Sequence, residues 1–140
     1  MPAPVHLVRS PHLSDVAEYA YAATTDPTAR LVLTAGACPL DENGNTVALG
    51  DYTAQARQVM LNLQVALRDA GAELSDVVKS TVYVATQNQD DLVAVWEVVR
   101  EHFGDHDAPS TLLGVTVLGY DHQLVEVETL AAVPSDRDRD

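Results

Sequence analysis

A chain of 140 residues that is 46% hydrophobic and 21% charged has the composition of one ordinary globular domain. Its 8 lysines and arginines against 21 aspartates and glutamates give a formal net charge of −13, which disfavours binding to nucleic acid or to an anionic membrane. With no apolar run long enough to cross a bilayer, no signal-peptide pattern and Cys38 as the single cysteine, the protein is expected to be cytoplasmic and free of internal disulfides.

The N-terminal region is predicted to contain an arm and a hairpin. Residues 1–14 carry three prolines and no clear periodicity, which favours an extended arm. Residues 16–23 are predicted to form a first strand with its two tyrosines on one face, and residues 30–36 a second strand. Because Asp26-Pro27-Thr28 is a turn sequence, the two strands are expected to pair as a hairpin.

The middle of the chain carries the clearest helix signal. Asn43-Gly44 predicts a turn, and a short edge strand is expected at 46–49. A helix then begins at Gly50-Asp51 or at Asp51-Tyr52-Thr53, with an acidic residue suited to its N-terminal end, and Gly71 ends it. Apolar residues recur along this helix at steps of three and four: Ala56, Val59, Met60, Leu63, Ala66, Leu67 and Ala70.

The C-terminal half alternates strands with a second helix. β-Branched residues predict a strand at 77–84, and apolar residues at helical spacing predict a helix at 89–103. Closing strands are expected at 110–117 and 123–133, followed by a disordered charged tail at 134–140. We therefore predict an α+β fold with a mixed sheet of about six strands and two helices on one face. The other face needs a partner, which predicts an oligomer.

The last strand has an unusual charge pattern. Side chains alternate along a strand, so Glu126 and Glu128 share one face with flanking leucines, while Val125, Val127 and Thr129 share the other. Two like charges are costly in a core. This face is therefore expected to meet solvent, a pocket or another subunit, unless one of the glutamates takes part in chemistry.

Several segments resemble the RidA (YjgF) family in the right order between Val16 and Val133. They are Thr34-Ala35-Gly36, TAQARQVMLNL at 53–63, AGAELSDVVKSTVYV at 70–84 and LVEVE at 124–128. The resemblance implies a single domain at 15–133 with a chorismate-mutase-like fold, in a homotrimer with a barrel-like core. It also implies a small-molecule cleft between subunits. Active members of the family hydrolyse reactive enamines and imines, such as 2-aminoacrylate, without a metal or an organic cofactor.

The resemblance also assigns site residues. Glu126 falls on the glutamate that positions the attacking water, Tyr19 on a tyrosine near the cleft and Gly36 on a backbone contact. The family's arginine, in a Pro-Ala-Arg-Ser/Thr stretch, binds the substrate carboxylate with two hydrogen bonds. Ser110 occupies that position here, and no shift of the alignment restores an arginine. Backbone N–H groups at Ser110 and Leu112 are still expected to be able to receive a ligand oxygen.

Three functions stay open. A divergent imine or enamine hydrolase would act on a substrate that lacks a carboxylate at the usual place. A non-catalytic module would bind or sense a small metabolite in the same cleft. RNA cleavage or inhibition of translation, an activity historically attached to the family, is disfavoured by the charge.

Purely structural roles for the individual residues also stay open. Glu126 could be a rim carboxylate paired between subunits, and Tyr19 could pack at the subunit interface. Glu128 is expected to bond a neighbouring polar group. Cys38 lacks a nearby His or Lys that would activate its thiol. His102 and His106 have the spacing of helical metal ligands, but a helix end is expected between them, so no metal site is predicted.

Overall fold

The computed structural model describes residues 4–16 and 18–136. This part of the chain forms six strands and two α-helices: β1 Val5–Val8, β2 Ala22–Thr25, β3 Arg30–Leu33, α1 Tyr52–Asp69, β4 Val77–Ala85, α2 Gln89–Phe103, β5 Ser110–Val115 and β6 Val125–Val133. Neither helix within these residues is apolar enough over a sufficient length to cross a membrane.

A mixed four-stranded sheet in the order β3-β6-β4-β5 lies at the centre of the fold. β6 is antiparallel to both β3 and β4. β4 and β5 are parallel because α2 carries the chain back to the same end of the sheet between them. β5 therefore lies at an edge of the sheet, while β6 is central.

Both helices cover the same face of this sheet, as predicted. Val82 of β4 lies opposite Val127 of β6, and Val84 lies opposite Val125, and all four side chains are fully buried. They form one cluster with the apolar stripes of the two helices, which contribute Val59, Met60, Leu63, Leu67, Val95, Val99 and Phe103. Removal of this contiguous apolar surface from water stabilises the packing of the helices on the sheet.

The helix boundaries follow from local sequence and confirm the predictions. Asp51 accepts a hydrogen bond from the N–H of Ala54 at 3.0 Å and caps α1. Asn88 caps α2 through the N–H of Asp90. Gly71 follows α1 at φ +86°, a left-handed conformation that glycine adopts without a steric penalty.

The N-terminal region differs from the prediction. β1 lies inside the expected arm and pairs with β2, which begins only at Ala22, so the strand predicted from Val16 is wrong. The predicted hairpin is wrong as well, because β3 pairs with β6, where Val32 is buried opposite Ala131. The sheet of about six strands is thus a sheet of four and a sheet of two.

The predictions for the edge strand at 46–49 and for the C-terminal tail have different outcomes. In place of the edge strand at 46–49, a single bridge joins Leu40 to Thr46. Residues 137–140 of the predicted tail lie outside the described residues.

A buried glutamine joins the first turn of α1 to the loop before β6. Gln55 is fully buried, and its Nε2 donates to the carbonyl of His122 at 3.0 Å and to that of Ala48 at 3.4 Å. Its Oε1 accepts from the N–H of Leu124 at 2.8 Å. Because each polar atom of the amide is paired, the side chain is compatible with the core. These bonds fix the point from which β6 starts.

Replacing Gln55 with leucine is expected to lower the free energy of unfolding by about 2–4 kcal/mol, because the peptide groups of His122 and Leu124 lose their partners. Urea denaturation at one protein concentration measures the difference. Gln64→Leu, at a half-buried position of the same helix, is the matched control and is expected to change it by less than about 1 kcal/mol. Equal losses in the two variants would contradict a special role for Gln55.

Candidate functional site

The candidate site residues fall into two groups within the chain. Tyr19, Ser110 and Leu112 line a pocket of about 400 Å³ together with Trp96 and Thr111. The other two, Gly36 and Glu126, are in contact with each other and are not among the residues that line this pocket. The structure therefore brings three of the five residues together around β5 and places Glu126 in β6 with Gly36 beside it.

The pocket follows the open edge of β5. The N–H of Ser80 in β4 donates to the carbonyl of Pro109 at 3.0 Å. In a parallel ladder this register directs the peptide groups of alternate residues, Thr111 and Leu113, toward β4. The peptide groups of Ser110 and Leu112 consequently point away from β4, to the edge where the pocket lies.

The side chain of Ser110 is engaged inside the protein. Its Oγ donates to the carbonyl of Ala108 at 3.0 Å and lies 2.5 Å from Oγ of Ser80. A hydroxyl has one proton, so Ser80 is the donor in the second bond. Ser110 therefore offers a ligand neither a positive charge nor a free hydroxyl proton.

Two aromatic rings form the apolar wall of the pocket. Tyr19 meets Trp96 of α2 edge to face, with ring centroids 6.0 Å apart and planes at 90°. The preceding residue, Glu18, forms an ion pair with Arg100 of α2 at 2.7 Å. The segment that carries Tyr19 is thus attached to the helix, and the pocket is suited to a small ligand with an apolar part.

Glu126 is oriented by two donors that reach the same oxygen. Gln123 Nε2 donates to Oε1 at 3.0 Å, and the Cys38 thiol donates to Oε1 at 3.4 Å. The other oxygen, Oε2, lies over Gly36, where a Cβ would come within 2.1 Å of it. A glycine at this position is therefore what allows the carboxylate to lie there, with the lone pairs of Oε2 left to an incoming group.

Gln123 is a site residue that the sequence interpretation missed. It is buried, and besides Glu126 its amide bonds the carbonyl of Val125 at 3.1 Å and the N–H of Tyr120 at 3.1 Å. A glutamine at the junction of a loop and a strand is ordinarily exposed. Its burial depends on the path of the loop and is not visible in the local sequence.

Cys38 is a hydrogen-bond donor here and not a nucleophile. Burial, the hydrogen bond to Glu126 and the negative charge of that residue together raise the pKa of its thiol from an ordinary 9.0 to about 11. The thiol is therefore protonated at neutral pH. This protonation state is the one that can donate to the carboxylate.

Glu128 has a separate partner. It accepts a hydrogen bond from the hydroxyl of Tyr83 in β4, which confirms the expected contact with a neighbouring polar group. That bond, together with burial, raises the pKa of Tyr83. The two carboxylates of β6 therefore share a face but are bound by different elements, Glu128 by Tyr83 and Glu126 by Gln123 and Cys38.

The two histidines considered as metal ligands each bond a backbone carbonyl. His102 Nδ1 lies 2.8 Å from the carbonyl oxygen of Val98, and His106 Nε2 lies 2.7 Å from that of Val77. Within residues 4–16 and 18–136, no three His, Cys, Asp or Glu side chains are grouped so that they could bind a metal ion.

Comparison with known proteins gives consistent similarities in sequence and in fold. Residues 12–133 match the family described as endoribonuclease L-PSP. A RutC family protein of Pyrococcus abyssi is 35% identical over 100 residues, which cover 71% of this chain and 76% of that protein. The 2-iminobutanoate/2-iminopropanoate deaminase of Salmonella typhimurium is 36% identical over 78 residues, 56% of this chain and 59% of that one.

The fold is also similar to a solved structure. A protein of unknown function from Yersinia pestis, of the conserved Rid protein family, superposes with a TM-score of 0.84 and 26% identity. The match covers 93% of this chain and 99% of that protein.

Replacing Glu126 with glutamine is expected to lower the pKa of Cys38 below about 11, because the negative charge that opposes the thiolate is removed. Each unit of decrease raises the thiolate fraction at pH 9 about tenfold. The pH dependence of alkylation by iodoacetamide measures this at the single cysteine. Glu128→Gln removes the same charge from the same strand and is expected to leave the profile unchanged. An unaltered profile in Glu126→Gln would contradict the contact.

Proposed function

Since the chain belongs to the endoribonuclease L-PSP family, which is the RidA/YjgF family, we propose that it hydrolyses a C=N bond of a small imine or enamine in a cleft between subunits of a homotrimer. The observation that carries the proposal is the oriented carboxylate of Glu126. Its Oε1 is occupied by two donors and its Oε2 is left to accept a hydrogen bond from water. A relative named for the deamination of 2-imino acids supports the reaction class.

Glu126 would act as a general base in this reaction. As the oxygen of a water molecule bonds to the imine carbon, Oε2 accepts a proton from that water. Glu126 returns this proton to the substrate nitrogen, which gives a carbinolamine. The carboxylate then takes the hydroxyl proton of the carbinolamine and delivers it to the nitrogen as the C–N bond breaks, so that ammonia leaves and a carbonyl product remains. An enamine would enter the same sequence after its carbon is protonated to give the imine. Gln123 and Cys38 keep the carboxylate in one orientation throughout, which lowers the cost of positioning the water.

The separation of the two groups of residues supports a site shared between subunits. In one subunit the pocket beside β5 does not include Glu126. The sheet face opposite the helices exposes large apolar side chains, since Leu33 is 73% exposed and Leu31 is 50% exposed. Apolar side chains grouped on an uncovered sheet face are typical of a surface that another subunit buries. A trimer would bring the edge of one sheet next to the glutamate face of its neighbour.

Ser110 distinguishes this chain from an arginine-containing member of the family. Its hydroxyl is engaged with Ser80 and Ala108 and cannot replace a guanidinium. Loss of a charge-assisted contact to a carboxylate costs on the order of 2–5 kcal/mol. The substrate is therefore bound without the family's usual carboxylate contact.

A non-catalytic binding module is the second candidate, and the engaged hydroxyl of Ser110 is the observation that favours it. If the residues that recognise the ligand differ from those of catalytic members, the pocket lined by Tyr19 and Trp96 can bind a metabolite without catalysing its hydrolysis. The formal net charge of −13 disfavours RNA as the ligand.

Glu126→Gln is expected to lower the rate of imine hydrolysis by about a hundredfold or more, because the variant side chain cannot accept the proton from water. The imine is generated in the assay mixture by an amino-acid oxidase, or by an amine oxidase when the substrate must lack a carboxylate. Semicarbazide traps the imine that remains. Hydrolysis by the protein is measured as the loss of trapped imine and the release of the carbonyl product.

Glu128→Gln is the matched control, with the same chemical change two residues away on the same face of β6. It is expected to retain hydrolysis and the assembly of the native protein. Full activity in Glu126→Gln would overturn the assigned role of Glu126. Thermal stabilisation by a ligand together with no hydrolysis of any imine would favour the binding module.

A further inference from the structure

We infer that Lys79 supplies the positive charge of the β5 pocket and binds a carboxylate of the ligand from the side of the strand opposite Ser110. This inference rests on the proposed function in one respect, since it assigns a ligand class to the same pocket. Lys79 is the single lysine of the chain. It lies in β4, next to the edge strand.

The hydroxyl of Thr111 lies between the ammonium group of Lys79 and the pocket. Lys79 Nζ donates to Oγ1 of Thr111 at 2.6 Å, and Thr111 lines the pocket. In the ladder, Ser110 is opposite Ser80 and Thr111 is opposite Thr81. Alternation therefore puts Ser110 on the helix-covered face of the sheet and puts Thr111 with Lys79 on the other face. The charge reaches the edge of β5 from the face that Ser110 does not use.

The other cations near the pocket are already neutralised. Arg100 is paired with Glu18 at 2.7 Å, and Arg9 is paired with Asp107. Among the residues that the structure describes, no carboxylate lies within 4.0 Å of the Lys79 ammonium group.

The closest acid along the ladder is also engaged elsewhere. Glu128 lies opposite Thr81, so it is a diagonal neighbour of Lys79, and it accepts its hydrogen bond from Tyr83. Lys79 is consequently the cation near the pocket whose charge is not compensated by an ion pair in the described residues.

The donor set fits a carboxylate. A lysine ammonium has three N–H donors, of which Thr111 takes one, so two remain for a ligand. Thr111 accepts from Lys79 and therefore keeps its own hydroxyl proton, which it can donate. The N–H groups of Ser110 and Leu112 point to the same edge. A carboxylate at this edge would meet an ammonium, a hydroxyl and peptide N–H groups.

This arrangement has a consequence for specificity. An arginine binds a carboxylate through a planar pair of N–H groups and fixes its orientation, whereas an ammonium acts as a point charge on a flexible stem. A pocket that depends on Lys79 is expected to accept acids with a wider range of carboxylate orientations, and to require the negative charge itself. Neutral analogues of the same shape should bind poorly.

Nuclear magnetic resonance of the native protein tests the assignment without any turnover. Reductive methylation with ¹³C-formaldehyde labels Lys79 and the N-terminal amine, and the spectrum of Lys79→Arg identifies the lysine signal. Pyruvate, a carbonyl acid of the expected product class, should shift the Lys79 signal saturably. Pyruvamide, its neutral amide, should not shift it.

Calorimetric titration of unlabelled variants with pyruvate supplies the second measurement. Lys79→Met is expected to weaken binding about ten- to hundredfold, as for other hydrogen bonds to charged groups. Lys79→Arg keeps the charge and is expected to stay within about threefold of the native protein. Arg57→Gln, at an exposed position of α1, makes the same change in net charge as Lys79→Met and should leave the Kd unchanged.

An unchanged Kd in Lys79→Met would overturn the assignment, as would equal shifts with pyruvate and pyruvamide or a native protein that does not bind pyruvate. A loss of binding in Arg57→Gln equal to that in Lys79→Met would overturn it too, because a general charge effect would then account for both. Absence of hydrolysis with intact Lys79-dependent binding would contradict the proposed reaction and leave the carboxylate site in place.

Discussion

The alternation of side chains along β6 is the constraint on which the rest of this structure depends. β6 is hydrogen-bonded on both sides, to β3 and to β4, and its inward residues Val125 and Val127 are fully buried beneath the two helices. A slip of one residue would turn Glu126 and Glu128 into that core and expel the valines. The cost of burying two carboxylates therefore sets the register of the central strand, and the register sets where the glutamates point.

Buried polar side chains in other parts of the chain fix the start of β6 and the orientation of Glu126. The amide of Gln55 ties the start of β6 to α1, and the amide of Gln123 ties the preceding loop to Glu126. Gly36 leaves room for the carboxylate, and the protonated Cys38 donates to it. The Glu126 carboxylate thereby has one orientation, in which both donors reach Oε1. The same polar groups that stabilise the loop thus fix the orientation of the carboxylate.

The edge of β5 has different chemical groups on its two faces. The peptide groups of Ser110 and Leu112 still point to the open edge, because parallel pairing with β4 fixes their direction. The side chain of Ser110 is neutral and engaged with Ser80. A cation on the other face of the sheet, Lys79, lies beside the next residue of the strand. Adjacent residues of a strand face opposite ways, so a charge that is absent from one face can be supplied from the other.

The sequence by itself determined those features whose physical cause is local. Apolar periodicity places α1 and α2, Asp51 and Gly71 mark the ends of α1, β-branched residues place β4, and period-two alternation places the two faces of β6. The family and the candidate glutamate also follow from sequence patterns. Only the tertiary structure decided that β1 pairs with β2, that β3 pairs with β6 and that Gln123, Cys38 and Lys79 reach their partners. Strand pairing depends on which distant segment offers the larger buried surface and the matching hydrogen bonds. The residues next to a strand in the sequence do not determine which segment that is.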